Sequence, residues 1–191
     1  MQDQIITRFI GIDAGVRTGF AIWDSNRSLF NLIKSFSFFE CLHSLLLFKQ
    51  QAEEEKFSFA VVIEDPNANR PTFRQHGGNQ FVRERISQNV GANKRDAALI
   101  HEFCDLHSIA SFLIRPTKKS LTKLSAAEFK EYTQWAGGGD QHARDAAGLI
   151  FGMKPIRIRP EKLQKKPPVP LFLPINSKAA AEGARILQAL K

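Results

Sequence analysis

Long apolar runs are missing from this chain of 191 residues. No stretch approaches the ~18 apolar residues of a membrane span. The most hydrophobic patch, Leu42 to Phe48, is broken by His43 and Ser44, so no membrane partner is expected. The opening Met1-Gln2-Asp3-Gln4 lacks the basic and apolar regions of a secretory signal, which leads us to expect an intracellular protein. Cysteine is scarce. Cys41 and Cys104 stand far apart among apolar neighbours, which argues against a zinc knuckle or a disulfide framework and fits buried thiols in a reducing compartment. Internal repeats are lacking, as is low-complexity sequence outside one Pro-Lys stretch.

Acidic residues run short at one end only. Nine basic and two acidic residues follow Met153, a net +7, whereas the preceding residues carry +1. A near-neutral domain at 1–153 with a basic, proline-rich tail at 154–191 suits contact with a polyanion, and nucleic acid before membrane. A solvated tail that keeps the protein soluble is the plainer alternative. Ser177 to Leu190 is expected to form a short terminal helix.

The rest of the chain is organised around Phe9-Ile10-Gly11-Ile12-Asp13-Ala14-Gly15-Val16-Arg17-Thr18-Gly19-Phe20-Ala21-Ile22-Trp23-Asp24. It reads as two strands joined by a tight turn. Gly15 and Gly19 supply positions for a positive φ or for the close approach of another backbone. Strands are depleted in Asp, and a buried carboxylate needs a partner. Asp13 therefore either meets a metal ion, a hydrogen-bond network or a phosphate-bearing ligand, or simply starts the turn.

A third strand follows at 29–38 and a helix at 40–55, its acidic end Glu53-Glu54-Glu55 read as solvated. Phe57 to Glu64 is the strongest strand, with the consecutive apolar residues of a strand buried on both faces. The long loop from Asp65 to Asn79 carries Arg70, Phe73, Arg74 and His76. Basic side chains interleaved with an aromatic suit phosphates and bases, although a surface loop with Phe73 tucked onto the core fits as well. Phe81 to His107 reads as a long helix with a polar first half that includes Asn89, Asn93 and Lys94. Ser111 to Ile114 is a short strand. Lys118, Lys119, Lys123 and Lys130 cluster around a helix that Ser125 and Glu128 open as a capping box. Asp140 caps a last helix from Gln141 to about Gly152, with His142 and Asp145 on one face.

This order of strands and helices predicts a mixed α/β sheet flanked by helices. Asp13, Glu64 and Asp145 can converge from two strands and an overlying helix. Three carboxylates repel one another unless hard divalent cations neutralise them. Two such ions can hold a phosphate, activate a water and stabilise a leaving oxygen.

With those residues in place, the chain resembles the RuvC-type Holliday junction resolvases of the RNase H-like superfamily, in a phage or prophage version. The resemblance covers Phe9 to about Gly152. It rests on Gly11-Ile12-Asp13-Ala14-Gly15 with Thr18-Gly19, on Val62-Ile63-Glu64, on Pro116-Thr117-Lys118-Lys119-Ser120 with Lys130, and on His142-Ala143-Arg144-Asp145-Ala146-Ala147. It implies an RNase H-like sheet, antiparallel in its first three strands and parallel afterwards. It further implies two Mg²⁺ or Mn²⁺ ions held by Asp13, Glu64, His142 and Asp145. Lys118, Lys119 and Lys130 would then stand near the scissile phosphate. Arg17, Arg70, Phe73, Arg74, His76, Asn89, Asn93, Lys94 and Lys123 are the candidate DNA contacts. The implied protein is a homodimer in the cytoplasm of a bacterium or phage-infected host, nicking opposed strands of a four-way junction to leave 5′-phosphate and 3′-hydroxyl ends.

Three other readings remain open at this level. The actin-like ATPase and sugar-kinase class also opens with a Gly-x-Asp-x-Gly hairpin, but needs a longer chain and a second glycine-rich phosphate loop that is absent here. A hydrolase of the same fold acting on another nucleic acid fits equally. A non-catalytic DNA-binding module would hold DNA equally well in EDTA and never cut it.

Overall fold

A computed structural model describes residues 4–65, 80–115 and 124–158, the side chains of residues 80–87 and 89 excepted. Its elements are β1 (Gln4–Ile6), β2 (Arg8–Asp13), β3 (Thr18–Asp24), β4 (Leu29–Phe36), α1 (Phe38–Glu55), β5 (Phe59–Glu64), α2 (Gln80–Leu106), β6 (Ser111–Ile114), α3 (Ala126–Thr133), α4 (Gln141–Ile150) and β7 (Ile156–Ile158). Five strands form one sheet in the order β4-β3-β2-β5-β6. β2, β3 and β4 run antiparallel, and β5 and β6 add on in parallel. The fold is thus α/β, a mixed sheet flanked by helices.

Strand alternation divides the core into two layers. Ile10, Ile12, Phe20, Ile22, Val61 and Ile63 pack with Cys41 and Leu45 of α1 and with Ala97, Ile100 and Cys104 of α2. Phe9, Ala21, Trp23, Ala60 and Val62 pack with Phe129 of α3 and with Ala143, Ala146, Ala147 and Ile150 of α4. Because β5 is covered on both faces, its apolar residues are consecutive, as the sequence suggested. Both cysteines are free and buried, and burial pushes each thiol up to about 12. Among the described residues no helix is long and apolar enough to cross a membrane.

Several boundaries fall elsewhere than expected. β4 stops at Phe36 and α1 begins at Phe38, because Ser37 forms a capping box with Glu40: Glu40 N–H donates to Ser37 Oγ at 3.3 Å and Ser37 N–H to Glu40 Oε2 at 2.7 Å. The acidic end of α1 is not merely solvated. Lys49 pairs with Glu53 at 3.4 Å, the Gln50 and Gln51 amides donate to Glu54 and Glu55, and Arg8 reaches Glu55 at 3.5 Å. The folded region also continues past Met153. β7 pairs antiparallel with β1, Gln4 opposite Ile158, and the Trp23 indole donates to the Met153 carbonyl at 3.0 Å. Gly15 and Gly19 do not take positive φ; among described glycines only Gly152 does.

Candidate active site

The site forms where β2 and β5 end side by side. Their parallel register sets Ile12 beside Ile63, so the next residues, Asp13 and Glu64, are neighbours at the carboxyl ends of adjacent strands. Parity puts both on the face covered by α4, since Gly11, Val62 and Ala60 share it. In open α/β sheets this end of the strands is where ligands bind.

Two glycines let α4 lie directly on the sheet. A Cβ at Gly11 would fall on the carbonyl oxygen of Ala146, and one at Gly19 on that of His142. The helix answers with alanines at 143, 146 and 147, all fully buried. Gly19 is the cross-strand partner of Asp13. Close seating there brings the first turns of α4, with His142 and Asp145, over the carboxylate.

Asp13 is the centre of the cluster. Its side chain is 17% exposed, and its Oδ2 lies 3.0 Å from Nδ1 of the half-exposed His142. Burial raises its pKa above the ordinary range. The hydrogen bond and charge of His142 pull it back, the Asp145 carboxylate pushes it up again, and a hydrogen bond with Glu64 lowers it. Carboxylates gathered this closely repel one another, and a divalent cation among them relieves that repulsion. Among the described residues no group of three or more His, Cys, Asp or Glu is arranged to hold a metal ion. The donors nevertheless suit one. Three carboxylates and an imidazole, drawn from β2, β5 and α4, are the oxygen-rich set that Mg²⁺ and Mn²⁺ accept.

A second layer of polar side chains fixes the rim. Asp140 caps α4, accepting from Ala143 N–H at 3.0 Å, and also takes the Ser35 hydroxyl and Arg17 Nη2, the latter at 3.4 Å. Partial burial raises its pKa, but the Ser35 and Ala143 hydrogen bonds and the Arg17 charge outweigh this and hold it below the usual carboxylate range. Asp145 Oδ1 accepts from the Gln141 amide at 2.7 Å. The Asn93 amide lies against the turn, its Oδ1 3.4 Å from where a Cβ on Gly15 would sit.

The structure therefore brings together Asp13, Glu64, His142 and Asp145, with Arg17 and Asn93 at the rim. Lys130 lies on α3, where it lines a cavity of about 200 Å³ with Phe129, Trp135, Gly137, Gly138, Gly139 and Arg144. Lys94 is half-buried on α2. Arg70, Phe73, Arg74, His76, Lys118, Lys119, Lys123, the Asn89 side chain and the tail beyond Ile158 lie outside the described residues. Sequence reasoning missed Ser35, Gln141 and Arg144. Gln141 sits four residues before Asp145, a spacing that places the two side chains together on a helix.

No protein-family model and no curated protein matches the chain. What the site can do is accordingly read from its own chemistry. A partly buried acid cluster beside the open end of a sheet can gather divalent cations, and with them the oxygens of a phosphodiester.

Proposed function

We propose that the chain is a metal-dependent endonuclease of the RNase H-like fold that resolves four-way or otherwise branched DNA, in the manner of the RuvC-type resolvases. The observation that carries this is the meeting of Asp13 with Glu64, His142 and Asp145 from three separate elements. The strand order β4-β3-β2-β5-β6, antiparallel then parallel, is the layout the resemblance implies and supports it.

In this reading Asp13 and Glu64 present carboxylates from adjacent strand ends, and α4 adds His142 and Asp145 from above. Two Mg²⁺ or Mn²⁺ ions bound there would hold the scissile phosphate, activate the attacking water and stabilise the 3′-oxygen. The chain's own work is to hold four ligands on a rigid base. Strand backbone fixes Asp13 and Glu64, and the glycine-seated helix fixes the other two. Arg17, exposed beside the cluster and paired with Asp140, would meet a DNA phosphate in this reading. Lys118, Lys119 and Lys130 stabilise charge near the cut, and two copies act on one junction in the cytoplasm. The residues beyond Ile158 carry a net +5 and add phosphate contacts.

The test is incubation of purified protein with a synthetic four-way junction, a linear duplex and a single strand, in Mg²⁺, Mn²⁺ or EDTA. Paired nicks in the junction, only with metal, are expected. Cutting of RNA or linear DNA in preference to the junction would move the substrate assignment, and binding without cutting in any metal would reduce the chain to a binding module.

A further inference from the structure

We propose that Gln141 and Arg144 are positioning residues that orient the Asp145 carboxylate for a divalent cation; this rests on the metal reading above. Arg144 is gripped from outside its own helix. Its Nε donates to the Leu124 carbonyl at 3.3 Å and its Nη1 to the Gly139 carbonyl at 2.7 Å. Its Nη2 donates to Gln141 Oε1 at 2.8 Å. A guanidinium has donors only, so Gln141 must turn its oxygen toward Arg144 and its NH₂ the other way. That NH₂ donates to Asp145 Oδ1 at 2.7 Å. The direction of every bond in the chain is thus set by the arginine, and the last of them fixes which way the Asp145 carboxylate faces.

Ordinary side-chain pairs at three- and four-residue spacing on a helix are solvated and weak. This relay differs in two respects. Gln141 and Arg144 are half-buried, and the relay is anchored on backbone carbonyls of two other segments. Leu124 immediately precedes the Ser125 cap of α3, and Gly139 closes the glycine loop before α4. The seating of both is therefore transmitted to Asp145. Partners that orient a metal ligand change metal affinity by about 10–100-fold when removed.

The experiment titrates the full chain with Mn²⁺ alone, reading free Mn²⁺ by electron paramagnetic resonance, with thermal unfolding measured in parallel without metal. The variants are Gln141→Leu, which is neutral for neutral, Arg144→Lys, which keeps the charge but loses the fork, and the double variant. Each single change is expected to weaken Mn²⁺ binding by about tenfold, and the double variant to bind no more weakly than Gln141→Leu, because the two residues act in series. Unchanged Mn²⁺ affinity, with or without a lower melting temperature, would overturn the proposal and leave the pair a helix brace. Additive losses in the double variant would overturn the relay. A wild-type chain that binds no Mn²⁺ would instead remove the metal reading itself, a different failure.

Discussion

Replacing Gly19 with alanine probes the feature that builds the site, the seating of α4 on bare backbone. The new Cβ would land on the His142 carbonyl and stand 3.0 Å from the Ala143 nitrogen. These are backbone atoms and cannot rotate aside. Carbon contacts are comfortable only from about 3.5 Å, so the first turn of α4 has to lift by roughly an ångström. Overpacking of this kind costs about 1–3 kcal/mol. At ~2–4 °C per kcal/mol for a chain of this size, the melting temperature should fall by about 2–12 °C. The lift also separates His142 from Asp13, and a misplacement of ~1 Å can lower a rate ~100-fold. Gly91→Ala is the matched control. Nothing lies within 4 Å of a Cβ there, and alanine is favoured over glycine in a helix by ~1 kcal/mol, so α2 should be stabilised. Thermal unfolding by circular dichroism and junction cleavage well below the melting point, measured on both variants, give the comparison. Gly19→Ala melting and cutting like wild type would refute the close-seating account.

Other expectations concern the ligands, the lysines and the tail. A neutral imidazole gives the site one negative charge fewer than a carboxylate and is a softer ligand; Mn²⁺ should support cutting at least as fast as Mg²⁺, and His142→Asp should keep activity while shifting preference toward Mg²⁺, as read by parallel metal titrations. At least one of Lys118→Ala, Lys119→Ala and Lys130→Ala should lower kcat more than junction affinity, since charge stabilisation counts most in the transition state; losses confined to affinity would make all three backbone contacts. Truncation after Ile158, which spares β7, should weaken DNA binding and flatten its salt dependence without changing the preference for branched DNA; an unchanged salt slope in binding titrations would make the tail a solubility or partner segment.

Elements with a long period or a cap were legible in the sequence. The β2–β3 hairpin, the two-faced β5, the long α2 and the Ser125 and Asp140 caps all stand close to where their patterns put them. That Asp13 and Glu64 can converge is an expectation from the strand pattern, but the register that makes them neighbours, Ile12 beside Ile63, comes from the sheet. β1 and β7 were not legible: three residues each are too few to show alternation, and they pair only because Ile158 returns to Gln4. The relay to Asp145 was half legible. The helical spacing of Gln141, Arg144 and Asp145 is written in the chain, but its direction is set by the Leu124 and Gly139 carbonyls, which only tertiary structure supplies. Gly11 reads as part of a motif and acts as a floor for Ala146.

The central claim, that the acid cluster is a metal-dependent cutting site, is tested most directly with Asp145→Asn on a synthetic four-way junction in Mn²⁺, with binding and cleavage measured on the same preparation. Asparagine keeps the shape and removes the charge on which cation binding depends. The account predicts junction affinity at or above wild type, since a negative charge facing DNA has gone, together with loss of cleavage. Cleavage at the wild-type rate would contradict it.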